Sequence, residues 1–141
     1  MNERDLSVLN LVSMSDRDAL RETLSGWGYR VVELRGEDVV DKASLFARAT
    51  GDLPSLEEVA PTNWSSFGDG LTSMVFELEH PKVALIWTSA HRMLESGLSD
   101  LLVATDVLVG NSRLAYAQDI TVLNFLLGDG PNFPRMQGAA G

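Results

Sequence analysis

The chain contains no cysteine. That absence excludes a disulfide framework, thiolate metal sites and a cysteine nucleophile, and it suits a reducing compartment. Histidine occurs only twice, as His80 before a proline and His91 in Ser89-Ala90-His91-Arg92. Neither has metal-ligand spacing to a cluster of acids, so both are expected as surface or capping residues. No run of about eighteen apolar residues exists, and no membrane span is expected. The opening Met1-Asn2-Glu3-Arg4-Asp5 carries acids, and the apolar run after it is broken by Asn10 and Ser13, so it does not read as a signal peptide. Basic residues are scarce: 11 Lys and Arg face 20 Asp and Glu, a formal charge of −9. Such a balance commonly serves solubility, but it also repels phosphate backbones and attracts basic proteins. With no basic stripe in view, direct nucleic-acid binding is not expected. The reading so far is a cytoplasmic protein with no cofactor, no metal and no catalytic residues.

What is present suits one domain, since 141 residues bury a core without staples. An apolar run at 6–12 is a candidate strand, followed by Ser13 and Ser15 three residues ahead of Asp16 and Asp18, a capping signature for a helix ending at Gly26. Residues 29–34 (Tyr-Arg-Val-Val-Glu-Leu) read as a strand, and Asp41 as the N-cap of a helix that buries Leu45, Phe46 and Ala49 and stops at Thr50-Gly51. A loop holding Pro54, Pro61 and the acids Glu57 and Glu58 leads into a helix over 63–77. The nearly unbroken apolar run at 82–88 suits a strand covered on both faces. Leu98, Leu101, Leu102, Thr105, Leu108 and Val109 then repeat at helical spacing up to a break or kink at Gly110-Asn111, with a further turn over 112–118. Residues 120–127 form the last strand. Strands alternating with crossover-length helices predict an α/β fold with a small, mostly parallel sheet. Gly128-Asp129-Gly130 lacks a following helix with a basic residue and reads as a turn, and Asn63-Trp64-Ser65 matches a glycosylation sequon that means little without secretion. Trp64 and Trp87 sit in apolar patterns and are expected in the core, whereas Trp27 is either an anchor for the N-terminal segment or a plug at the sheet edge.

The 63–77 segment is the most informative. At about 100° per residue, Trp64, Phe67, Leu71, Met74 and Leu78 share one stripe, and Asp69 lies nearly opposite. Ser65, Thr72 and Phe76 stand on the outward side with it. Phe76 is the odd member: it either packs beneath the N-terminal segment or is an exposed interface anchor. Gly68 and Gly70 each lower helix propensity by about 1 kcal/mol relative to alanine.

The pattern Asn63-Trp64-x-x-Phe67-x-Asp69-x-Leu71, followed by a buried strand ending in Trp87, resembles the barstar family of intracellular ribonuclease inhibitors. The likeness covers residues 29–127 and implies a three-layer barstar-like domain at 29–128, preceded by an extension at 1–28 with a possible added strand and helix, and followed by a flexible tail at 129–141. It further implies that Asn63 and Trp64 match the family's Asn-Trp pair, Leu71 its closing leucine and Asp69 the central inhibitory carboxylate. Ser65, Thr72 and Phe76 on the outward side of the helix, Glu57 and Glu58 in the loop entering it, and Asn63 complete the expected partner-binding set. In that family, carboxylates on the helix and its preceding loop enter the active site of a basic ribonuclease and take the places of RNA phosphates. Ser65 stands where many members have aspartate, and Gly68 where a bulky residue is expected. The partner implied is a basic ribonuclease or nuclease toxin, with the protein itself a monomer or weak homodimer. The alternative is a scaffolding or regulatory module that keeps the fold and uses Phe76 and the extension for self-association or a non-nuclease partner.

Overall fold

A computed structural model describes residues 1–136 of the chain. Strands β1 (Leu9–Ser13), β2 (Arg30–Arg35), β3 (Lys82–Thr88) and β4 (Thr121–Gly128) form one sheet in the order β1-β4-β3-β2, parallel throughout. Parallel neighbours need crossovers. Helices α1 (Arg17–Gly26), α2 (Lys42–Asp52), α3 (Trp64–Glu77), α4 (His91–Ser96) and α5 (Leu98–Tyr116) supply them.

The two central strands dictate the layering. Alternate residues of a strand face opposite sides, so Val83, Leu85, Trp87, Val122 and Leu126 join one core, while Ala84, Ile86, Leu123, Phe125 and Leu127 join another. The first core is closed by α2 to α5, through Leu45, Phe46, Phe67, Leu71, Met93 and Leu101. The second is closed by α1, whose Leu20 and Leu24 are fully buried. The N-terminal extension thus adds edge strand β1 beside β4 and covers the second sheet face.

Several local expectations need adjustment. A single 3-10 turn, Met14–Asp16, precedes α1, with Ser13 Oγ accepting the Ser15 N–H. The Asp41 cap is present as a full capping box with Ser44, but α2 continues past Gly51 to Asp52. Helix α5 is unbroken through Gly110. Its buried side carries Leu108, Asn111, Ser112 and Ala115, and this burial offsets the roughly 1 kcal/mol that a mid-helix glycine costs. Short α4 is separated from α5 by Gly97, where a Cβ would lie 2.5 Å from the Val40 carbonyl oxygen. The chain can pass over α2's entry only without a side chain there.

The first residues and the segment 129–136 are tied to this frame. Glu3 accepts from Lys82 Nζ at 3.0 Å and from the Tyr29 hydroxyl at 3.1 Å. Burial, reinforced by the Glu3 carboxylate, pushes the Tyr29 phenol up to about 12. Of the expected flexible tail, residues 137–141 lie outside the described residues, and 129–136 are anchored. Phe133 is buried against Gly128. The Ser13 N–H donates to Pro134 O at 2.9 Å. Arg135 donates through Nε to Asp16 and places Nη2 2.8 Å from Asp16 Oδ1, and Asp16 also accepts the Met136 N–H at 2.8 Å. Asp16 is only 2% exposed.

Leu24→Ala is expected to destabilise the protein by about 2 to 5 kcal/mol, the usual result of emptying a fully buried leucine site. A thermal melt equal to the parent's would show that α1 does not cover the sheet. The Asp16 carboxyl offers a pH test. Hydrogen bonds from Arg135 hold it below its ordinary range, against the opposing effect of burial. Its stabilising contribution is therefore complete above the unfolded value of about 4, and is lost as pH falls through the lower folded value. Asp16→Asn should be clearly less stable than the parent in urea melts at neutral pH, with the gap closing in acid. A gap independent of pH would exclude this linkage.

Candidate functional site

Helix α3 presents the expected carboxylate on a rigid support. Its N-terminus is fixed by a capping box: Asn63 Oδ1 accepts the Ser66 N–H at 2.8 Å, and Ser66 Oγ accepts the Asn63 N–H at 3.1 Å. Such a box satisfies two of the otherwise unpartnered amides of the first turn. Phe67, Leu71, Met74 and Val75 are buried, and half-buried Trp64 meets Phe46 edge-on at 5.1 Å and Phe67 at 6.0 Å. Trp87 is likewise core, only 2% exposed. Trp27 packs against the second core and its carbonyl accepts from Lys82 Nζ.

The two glycines of α3 acquire a role in this packing. A Cβ on Gly70 would lie 3.1 Å from Cγ of Leu56, a fully buried residue of the preceding loop, and one on Gly68 would lie 3.5 Å from Val107 of α5. Small residues let the loop and α5 close on either flank of the helix. The loop is further tied by the Ser55 hydroxyl, which bonds Glu77 and sits in a left-handed turn at φ 73°.

Between α3 and this loop lies an open recess of about 230 Å³, lined by Asp69, Glu58, Glu77, Ser66, Ser73 and Val59 among others. Asp69 and Glu58 are exposed, and among the described residues neither side chain makes a hydrogen bond or ion pair. Of the cations on neighbouring elements, Arg35 and Arg48 are already engaged. Arg35 bonds Asp52 at 2.8 Å, and Arg48 lies 3.5 Å from Asp38 and 3.8 Å from Asp52. Burial works to raise the Asp52 carboxyl, but the Arg35 hydrogen bonds outweigh it and hold the group below its ordinary range. The recess therefore collects three carboxylates with no guanidinium among its lining. Chemically it suits a cationic group offering several N–H donors. Among the described residues, no cluster of histidines and carboxylates is arranged to hold a metal ion.

The structure divides the expected partner-binding residues into three sets. Asp69 and Glu58 share the recess, with Glu57 exposed on the same loop but outside it. Asn63 is occupied as the cap, with its side-chain oxygen turned to the helix. Ser65, Thr72 and Phe76 stand on the other flank. There the Thr72 hydroxyl lies 3.1 Å from Gly68 O and 3.2 Å from Asn111 Oδ1 of α5, so it serves the α3–α5 contact. Phe76 is 44% exposed, and the extension's helix lies across the sheet from it, against the second core. Glu77, Ser73 and Ser55 were not anticipated. Ser73 and Glu77 follow Asp69 at four and eight residues, one stripe of an α-helix, which was the available signal. Both histidines act on backbone: His80 Nδ1 accepts the Lys82 N–H at 3.1 Å and His91 Nδ1 the Asp129 N–H at 3.2 Å.

No known family model matches the chain, and no curated protein matches it in sequence.

Proposed function

We propose that the protein is a barstar-like, cytoplasmic inhibitor of a basic ribonuclease or nuclease toxin, acting by occlusion of the active site rather than by catalysis. The observation that carries the reading is the recess itself: Asp69 and Glu58 are exposed and unpaired among the described residues, Asp69 in line with Glu77 on a helix capped at its start and packed on both flanks, and Glu58 on the loop beside it. A ribonuclease active site must present cations to bind phosphates. Carboxylates fixed at a suitable spacing meet those cations in charge-assisted hydrogen bonds and pay little ordering entropy on binding. The Asn63-Trp64…Asp69-x-Leu71 pattern is consistent with this use of α3.

The second reading, a non-inhibitory interaction module, is favoured by a different observation. Phe76 and several large apolar residues of α5 are exposed.

The deciding experiment immobilises the protein, captures its partner, and measures binding of variants by calorimetry. Asp69→Ala should leave stability within about 0.5 kcal/mol, as ordinary surface changes do, and weaken partner binding by at least about 2 kcal/mol, the level of an interface hot spot. Unchanged affinity would remove Asp69 from the interface and with it the inhibitor reading. Association with the nuclease should also slow steeply as salt rises, because attraction between opposite charges is screened over about 8 Å at physiological ionic strength. Rates that stay flat from low to high salt would exclude electrostatic occlusion.

A further inference from the structure

The exposed apolar surface of this protein is concentrated on α5. Among the described residues, five of the nine large hydrophobic residues left exposed belong to that one helix: Leu98, Leu102, Val103, Leu114 and Tyr116. Leu102 is 61% exposed and Tyr116 74%. Ordinary surface helices place charges on the side away from the core. On α5 that outward side carries only Asp106 and Arg113, because Asp100 is turned toward α2, where it accepts the Lys42 N–H at 2.9 Å. Among the described residues, neither the Asp106 nor the Arg113 side chain makes a hydrogen bond or ion pair. In a chain with a formal charge of −9, this near-neutral apolar face stands apart.

The arrangement of the two charges specifies what fits. Seven residues apart, they lie two turns from each other on the same side of the helix. Midway between them are Val109 and Gly110, and a Cβ on Gly110 would meet nothing within 4 Å. We propose that two copies of the chain pair through α5, antiparallel about a two-fold axis that passes between Val109 and Gly110. That axis sets Asp106 against Arg113 of the second copy and Arg113 against its Asp106. The crossing falls where the missing side chain of Gly110 lets the helices approach. A two-fold interface requires a surface complementary to itself. Opposite charges placed symmetrically about a small residue meet that requirement, whereas a purely basic or acidic partner would satisfy one charge and oppose the other. Phe76 extends the patch: Gly68 faces Val107 and Thr72 faces Asn111, and the same parallel register sets Phe76 level with Ala115.

Sedimentation velocity of the full chain tests the pairing. The parent should sediment at 15.4 kDa when dilute and at twice that mass when concentrated, with the transition at about 10 to 500 µM, as befits an interface of modest area. Arg113→Asp and Asp106→Arg each place like charges opposite one another and should weaken dimerisation at least tenfold, with far-UV circular dichroism unchanged. The double variant Asp106→Arg/Arg113→Asp restores opposite pairs and should recover the parent's association. A parent that stays monomeric throughout, as it would if a different protein covers α5, overturns the proposal. So do single variants that associate like the parent, or a double variant that remains as weak as either single one.

Discussion

The structure depends first on β3 and β4 being apolar on both sides. A strand such as Val83-Ala84-Leu85-Ile86-Trp87 cannot leave either face to water, and a parallel sheet cannot fold back through hairpins to hide one. Helices on both faces follow from that. Helices α2 to α5 close the face of Leu85 and Trp87, and the opposite face, with Ile86, Phe125 and Leu127, is covered by α1 together with Met1, Leu6, Met14, Trp27 and Met136. The first 28 residues are therefore part of the folding unit. Their anchors converge on the same strands: Lys82 at the start of β3 holds Glu3 and the Trp27 carbonyl, and Asp16 holds Arg135 beyond the end of β4. Glu3 and Arg135 are thus held by ion pairs at opposite ends of the central sheet.

The same demand for covered faces produces the recess on α3. The helix buries one side through an aromatic cluster and is approached by α5 and the Leu56 loop across Gly68 and Gly70. Its remaining outward strip is narrow. Charges on that strip are held by packing rather than by pairing, so they keep their position without having their field cancelled. This is the condition under which surface carboxylates are useful to a partner, since a carboxylate already bonded to an arginine, as Asp52 is, has little left to offer.

Most of the fold was legible from sequence because its signals are local. Periodicity marked β2 to β4 and the buried side of α3, and both Asp41 and Asn63 were recognisable caps or helix openings. What escaped depends on contacts remote in sequence. Gly110 carries a helix-breaking propensity that is overridden by burial of Asn111 and Ser112 against α3 and β4, where Ser112 Oγ lies 2.9 Å from Asn124 Nδ2. The anchoring of Phe133 and Arg135 needs partners more than a hundred residues away in the case of Asp16. For the candidate site, the helical wheel placed Asp69 outward but could not say on which flank the preceding loop would lie. The loop packs on the Gly70 side, bringing Glu58 to the stripe of Asp69 and Glu77 and leaving Thr72 to α5.

The distribution of charge separates the two surfaces that remain. Six of the eleven basic side chains, namely Arg17, Arg21, Arg35, Arg48, Lys82 and Arg135, are in ion pairs that join elements or brace their ends. Cations are spent internally, so the surplus of acids appears as local, uncompensated negative field, and the α3 recess is one place where geometry gathers it. The crest of α5 obeys the opposite rule: it carries one charge of each sign, neither compensated among the described residues, on a background of exposed leucine and valine. Long-range attraction can guide a cationic partner to the first surface, while the second gains nothing at a distance and acts only on contact, through apolar area and a register set by its two charges. Recognition at the two should therefore differ in kind, fast and salt-sensitive at α3, slow to form and specific in register at α5.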